Sequence, residues 1–249
     1  MVNPLAYRGK RGINMTAYIL TGGSVWLKNL KTTPEKGDIV IAADSGFKNA
    51  RALDLTVDVL IGDMDSLNQV PETGNMEIIR LPEEKDVTDT QAAVAVALER
   101  GADNICIIGG IGSRIDHTLS SLAILEDIEG LYSAPLGKRR KFFGINKQMK
   151  LARQVNATLT NGFNRVRFLR DSSAIIPKNP YFRYLSIICV EEEAKGVCVD
   201  GVKYPLQNAK LSRRHQYAVS NEIVGNCAFV AVQKGALYVI ESYDDRFEV

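Results

Sequence analysis

Two aspartates, Asp63 and Asp65, stand two residues apart in Gly62-Asp63-Met64-Asp65-Ser66, directly after the apolar run of residues 57–61. An extended backbone sends alternate side chains to one face, so both carboxylates would leave the same side of the chain end. Like charges held that close repel unless a cation lies between them. Taken alone, an acidic turn of this kind is equally a solvated loop. Further polar groups recur along the chain: Gly22-Gly23, Asp44-Ser45-Gly46, Lys85-Asp86-Val87-Thr88-Asp89 and Gly109-Gly110-Ile111-Gly112-Ser113-Arg114-Ile115-Asp116-His117. With only two histidines and no Cys-x-x-Cys pair, any bound metal would be held by oxygen, which points to a hard ion such as Mg²⁺. Mg²⁺ on a polyphosphate would neutralise the six carboxylates Asp44, Asp63, Asp65, Asp86, Asp89 and Asp116, with Lys85 and Arg114 facing phosphate oxygens.

The elements that must position these groups follow from the hydrophobic pattern. Short apolar runs at 18–20, 38–43, 57–61, 76–81 and 104–108 read as strands, each ending in one of the polar turns above. Helices are expected from Gly46 through Leu53, from about Asp89 to Arg100, and from about Ile115 to Ile128. Thr88 and Gln91 have the spacing of a capping box, and Asp89 falls in the first turn, near the positive end of the helix dipole. Such strand and helix alternation over 17–128 predicts a mainly parallel sheet flanked by helices, in which ligands gather outside the carboxyl ends of the strands. The turn at Gly109–Ser113 precedes a helix, so its N–H groups suit phosphate oxygens. It matches neither the G-x-x-x-x-G-K-[ST] nor the G-x-G-x-x-G pattern. Ser113 and Asp116 also have capping-box spacing.

Residues 1–14 are basic with little periodicity and read as a tail, native or appended; 15–150 would form the α/β domain and 151–249 an antiparallel β-domain, a sandwich. The basic segment 131–154, with Gly137-Lys138-Arg139-Arg140-Lys141, reads as solvated surface. The 249-residue chain is 45% hydrophobic and 24% charged with net charge +2, ordinary for a soluble protein and too balanced to argue for nucleic acid or a membrane surface. No run approaches the ~20 apolar residues of a membrane span. The four dispersed cysteines, Cys106, Cys189, Cys198 and Cys227, read as small buried side chains in a reducing compartment, and the expected location is the cytoplasm.

In order and spacing, Asp44-Ser45-Gly46, Gly62 to Ser66, Lys85 to Asp89 and Gly112-Ser113-Arg114-Ile115-Asp116-His117-Thr118-Leu119 resemble the thiamine pyrophosphokinase family. So do Gly201-Val202-Lys203-Tyr204-Pro205-Leu206 and Val219-Ser220-Asn221-Glu222 in the second half. The resemblance implies an N-terminal α/β ATP-binding catalytic domain, a C-terminal β-sandwich that binds thiamine, and a homodimer with active sites between subunits. It implies Mg²⁺-dependent attack of the thiamine hydroxyl on the β-phosphorus of ATP, giving thiamine pyrophosphate and AMP. By the same resemblance Asp63, Asp65 and Asp89 are metal ligands. Gly22, Gly23, Asp44, Thr88, Gly110, Gly112, Ser113, Arg114 and His117 bind ATP, and Lys85, Ser220 and Asn221 contact thiamine. Asp86, Arg114 and Asp116 are the catalytic candidates, with Asp86 or Asp116 open as a general base. The family's usual Asn two positions past Leu119 is Ser121 here. A phosphohydrolase using the same acidic edge, or a module that senses thiamine or nucleotide without turnover, are the other readings.

Overall fold

The structure is a computed structural model and describes residues 14–30, 32–64, 74–82, 84, 86–133, 140–141, 148–149 and 154–244. Asp65, Lys85, residues 1–13 and residues 137–139 of the basic run lie outside them. Chain contacts divide the molecule into two compact units, one reaching Asn161 and the other beginning at Gly162.

The first unit is built on parallel strands. β1 (Thr16–Leu20), β2 (Ile39–Ala43), β3 (Val59–Gly62) and β5 (Asn104–Ile108) are buried at every position. Continuous apolar runs of this kind belong to a sheet covered on both faces. β4 (Glu77–Arg80) is mostly exposed and closes one edge. β8 (Asn156–Thr160) pairs parallel to β5. The order is therefore β8, β5, β1, β2, β3, β4, with every pairing parallel. The chain runs outward from β1 to β4 and returns to the other side of β1 as β5. The gap between β1 and β5 is thus the topological switch point, where the connections diverge and leave a crevice at the carboxyl ends.

α1 (Gly46–Ala52) and α2 (Asp89–Glu99) pack on β1 and β2, α2 reaching β3 as well, while α3 (Ile115–Ser133) packs on β8. Alanines at 92, 93, 95 and 97 are buried, and their small side chains allow α2 to pack closely. The capping box is present: the Thr88 N–H donates to Gln91 Oε1 at 2.8 Å and the Gln91 N–H donates to Thr88 Oγ1 at 3.2 Å. A 3-10 turn occupies Leu27–Asn29, and in the basic segment β6 (Arg140–Lys141) pairs antiparallel with β7 (Gln148–Met149).

The second unit is antiparallel. β11 (Tyr184–Cys189), β15 (Ala236–Ser242) and β9 (Asn164–Arg170) lie in that order in one layer. β10 (Ser173–Pro177), β14 (Cys227–Ala231), β12 (Glu193–Asp200) and β13 (Leu206–Ser212) form the other. Leu185, Ile187, Leu237 and Val239 from the first layer and Ile176, Val197, Val199 and Val230 from the second share one core, making a β-sandwich.

Several expectations need correction. The division between the units falls after Asn161 and not after residue 150, because β8 completes the parallel sheet instead of opening the β-domain. Its sequence, Asn-Ala-Thr-Leu-Thr, is half polar and carries no parallel signature. In the β-domain the β-rich runs 165–169, 185–190, 196–199, 228–232 and 237–240 signal strands, whereas β10, which ends in proline, and β13, polar along most of its length, carry no such signal. α3 continues past Ile128 to Ser133. The cysteines are free, but only Cys106 and Cys189 are buried; Cys198 is half-buried and Cys227 exposed on β14.

Candidate active site

Sequence-distant polar turns meet at the carboxyl ends of the parallel strands. After β2, Asp44 adopts a left-handed backbone (φ 47°) and its N–H donates to the Ile61 carbonyl at 2.8 Å. A Cβ placed on Gly62 would stand 3.1 Å from Asp44 Cβ, so the β3 end and Asp44 are in direct contact. Met64, between Asp63 and Asp65, has φ 69°, an unusual conformation for a long side chain. Gly22 lies so close to Ser45 that a Cβ there would come within 1.9 Å of Ser45 Oγ. The Gly23 backbone likewise abuts the Gly109 carbonyl, and Gly112 lies beside Gly23 and Ser24. Gly22, Gly23, Asp44, Gly62, Gly109 and Gly112 are therefore brought together by packing.

Oδ1 of Asp44 and Oδ1 of Asp89 are buried and accept no hydrogen bond from the described residues, while both side chains keep other interactions. Asp63 is partly buried, and Asp86 and Thr88 are exposed. Among the described residues no three His, Cys, Asp or Glu side chains form a ready-made metal cage.

Ser113, Arg114, Asp116 and His117 are exposed where α3 begins. The Arg114 guanidinium donates from Nη2 to Asp116 Oδ2 at 2.6 Å and from Nε to Oδ1 at 3.3 Å, while His117 Nε2 lies 4.0 Å from Asp116 Oδ2. The Arg114 hydrogen bond holds the Asp116 carboxyl below its ordinary range. Thr118 Oγ1 accepts from the Gly112 N–H at 3.2 Å and closes the glycine turn onto α3. Ser121 is buried beneath the turn: a Cβ on Gly110 would lie 2.8 Å from Ser121 Oγ. At that position a side chain supports the turn from below.

In the second unit a cavity of about 120 Å³ is lined by Leu185, Ile187, Tyr204, Leu206, Tyr217 and Asn221, among others. Asn221 ties its walls together. Its Nδ2 donates to the Tyr204 carbonyl at 2.7 Å, its Oδ1 accepts from the Tyr204 and Glu222 N–H groups at 3.0 Å each, and its backbone pairs with Leu185. Ser220 has φ 56°, and its N–H donates to Ser186 Oγ at 3.0 Å. Tyr204 and Tyr217, which sequence reasoning did not single out as ligand-facing, supply the aromatic wall. Tyr204 lies inside the Gly201 to Leu206 motif, whereas the only signal for Tyr217 was its nearness to Val219-Ser220-Asn221-Glu222.

A parallel α/β unit with acidic and glycine-rich strand ends, followed by a β-sandwich holding an aromatic-lined cavity, defines a two-domain class of protein. Two family models match along the chain: "Thiamin pyrophosphokinase, catalytic domain" over residues 30–131 and "Thiamin pyrophosphokinase, vitamin B1 binding domain" over residues 173–237. A thiamine pyrophosphokinase of Bacillus subtilis is 28% identical over 65% of this chain and 65% of its own length. For thiamin pyrophosphokinase 1 of Caenorhabditis elegans the figures are 24%, 74% and 69%. The matched region thus spans about two thirds of each relative. Among solved structures, a thiamin pyrophosphokinase family protein of Enterococcus faecalis superposes with a TM-score of 0.70 at 28% identity, covering 94% of this chain and 100% of that one. The B. subtilis enzyme superposes with a TM-score of 0.72 at 24% identity, over 92% and 99%. The chain belongs to the thiamin pyrophosphokinase family.

Proposed function

We propose that this protein transfers the pyrophosphoryl group of ATP to the hydroxyl of thiamine, giving thiamine pyrophosphate and AMP, with Mg²⁺ as cofactor. The observation that carries this reading is the convergence of the acidic and glycine-rich strand ends in a chain matching both family domains.

In this reading the backbone at Gly22, Gly23, Gly110 and Ser113 offers N–H groups to the phosphates, with Gly112, whose own N–H is held by Thr118, and Asp44, Thr88, Arg114 and His117 also in the ATP site. The donor set fits Mg²⁺, a hard ion that carboxylate, water and phosphate oxygens together would hold, so no ready-made cage of protein side chains is needed. Asp63 and Asp89, together with Asp65, would hold it. When bound, it neutralises phosphate charge. Arg114, oriented by Asp116, presents a planar fork of donors to phosphate oxygens. Asp116, held as carboxylate by that contact, and the exposed Asp86 remain the two candidates to accept the alcohol proton. Transfer of this kind depends on alignment and charge neutralisation more than on covalent help from the protein.

The cavity at Tyr204, Tyr217 and Asn221 would take the rings of thiamine. Asn221 fixes Tyr204 through three hydrogen bonds to backbone groups and would offer thiamine its second Nδ2 N–H. Ser220 would make the direct polar contact, and Lys85 would reach thiamine from the first domain. The working form is a cytoplasmic homodimer with active sites between subunits.

The deciding experiment incubates the protein with Mg·ATP and thiamine and resolves the products. Thiamine pyrophosphate and AMP are expected in equal amounts; ADP or inorganic phosphate in their place overturns the proposal.

A further inference from the structure

At the switch point between β1 and β5 two turns are packed backbone against backbone. A Cβ on Gly23 would lie 2.0 Å from the Gly109 carbonyl oxygen. One on Gly109, whose φ is +89°, would lie 2.8 Å from the Thr21 oxygen and 3.2 Å from the Gly23 oxygen. Carbonyls crowded in this way need donors, and main-chain pairing does not reach all of them. The carboxamide of Asn49, on α1, enters the junction. Its Nδ2 donates to the Thr21 carbonyl at 2.6 Å and to the Gly23 carbonyl at 2.8 Å, and it stands 3.2 Å from the Cβ position of Gly109. One carboxamide nitrogen carries two diverging N–H bonds, so Asn49 can satisfy both carbonyls at once. On the far side of the glycine turn Asn161, buried after β8, donates from Nδ2 to the Ile111 carbonyl at 3.3 Å, and its own carbonyl accepts the Trp26 N–H at 2.8 Å.

We infer that Asn49 is a positioning residue for nucleotide: it locks the turns after β1 and β5 into one surface whose backbone N–H groups receive phosphate. Asn161 braces the same surface from the side of β8. The inference rests on the reading that this edge receives ATP. Asn49 acts through the turns and needs no contact with the nucleotide itself.

Asn49→Ala leaves a good helix former on α1 while removing both donors. Affinity for Mg·ATP, followed by the fluorescence of Trp26, the chain's single tryptophan, is expected to weaken about tenfold. The KM for ATP should rise in parallel while the KM for thiamine stays unchanged. A folded variant with wild-type ATP affinity overturns the inference. An equal rise in both KM values also overturns it, since that marks general loosening. If Asn49→Ala melts below the assay temperature, hydrogen exchange on the unaltered protein decides. Mg·ATP must slow the amides of both 22–24 and 109–113, and protection of one turn alone sinks the assignment. Wild-type protein that binds ATP without making thiamine pyrophosphate defeats the proposed reaction but not this inference, which the ratio of variant to wild-type affinities still tests. Wild-type protein that binds no ATP defeats both.

Discussion

Glu241 is the most deeply buried charge among the described residues and lies outside the candidate site. Its register partner on β9 is Arg165, which donates to it from Nε at 2.7 Å and from Nη2 at 2.6 Å; Arg167 adds a further contact. Burial alone raises the Glu241 pKa, but the hydrogen bonds and charges of Arg165 and Arg167 outweigh it and hold the carboxyl below its ordinary value. A folded-state value below the unfolded one contributes stability that is complete above the ordinary glutamate pKa of about 4.3 and is lost as pH falls through the depressed value. Glu241→Gln removes the negative charge opposite buried Arg165 and partly buried Arg167 and is expected to lower unfolding free energy by about 3 kcal/mol at pH 7. Denaturant titrations at pH 7 and below pH 4 check this: the gap between variant and wild type should narrow in acid, and a gap independent of pH refutes it. Left-handed backbone also occurs at Met64 in the first unit, next to Asp63, and at Ser220 in the second. Each such conformation costs on the order of 1 kcal/mol, held in place by the surrounding packing.

The same residue type does opposite work at the two ends of the parallel strands. Asp38, Asp58 and Asp103 precede β2, β3 and β5 and accept the N–H groups of Thr16, Val40 and Met15 at 2.8, 2.8 and 3.0 Å, so they anchor strand starts. Asp44 and Asp63 follow β2 and β3 and stand at the ligand-facing edge. The two groups differ in sequence by position: Asp38, Asp58 and Asp103 stand before apolar runs, whereas Asp44 and Asp63 stand after them. At the turns, Gly23→Ala would drive a methyl group into the Gly109 carbonyl. The expected outcome is loss of ATP binding by fluorescence titration with the aromatic cavity of the second unit intact; unchanged ATP affinity would show that the two turns separate freely. Removing the α2 cap by Thr88→Ala should lower stability by about 1 kcal/mol, measurable by denaturant unfolding.

For the whole molecule, each unit has its own core and its own candidate binding region: glycine-rich turns in the first, an aromatic cavity in the second. Among the described residues, no helix is long and apolar enough to cross a membrane. Ile115, Leu119, Ile175 and Phe229 are large apolar side chains left exposed on the single chain, which is unfavourable in water. With the proposed dimer, light scattering is expected to give twice the 27.4 kDa chain mass, and a species of single-chain mass at working concentration counts against it.

Strand and helix positions in the first unit were legible because a buried parallel sheet demands unbroken apolar runs ended by turn residues, as in Asp38 to Ser45. Ordered motifs such as Asp44-Ser45-Gly46 and Arg114-Ile115-Asp116-His117 also sufficed to identify the family. Pairing was not legible. β8, half polar, joins the parallel sheet only because β5 offers it an edge, and that pairing moves the division between units to Asn161. Asn49 shows no motif at all. Its place depends on α1 crossing beneath two turns that lie far apart in sequence, so its two hydrogen bonds exist only once β1 and β5 are neighbours. Local periodicity determined which segments become elements and which strand ends carry chemistry; long-range packing decided which of those ends touch.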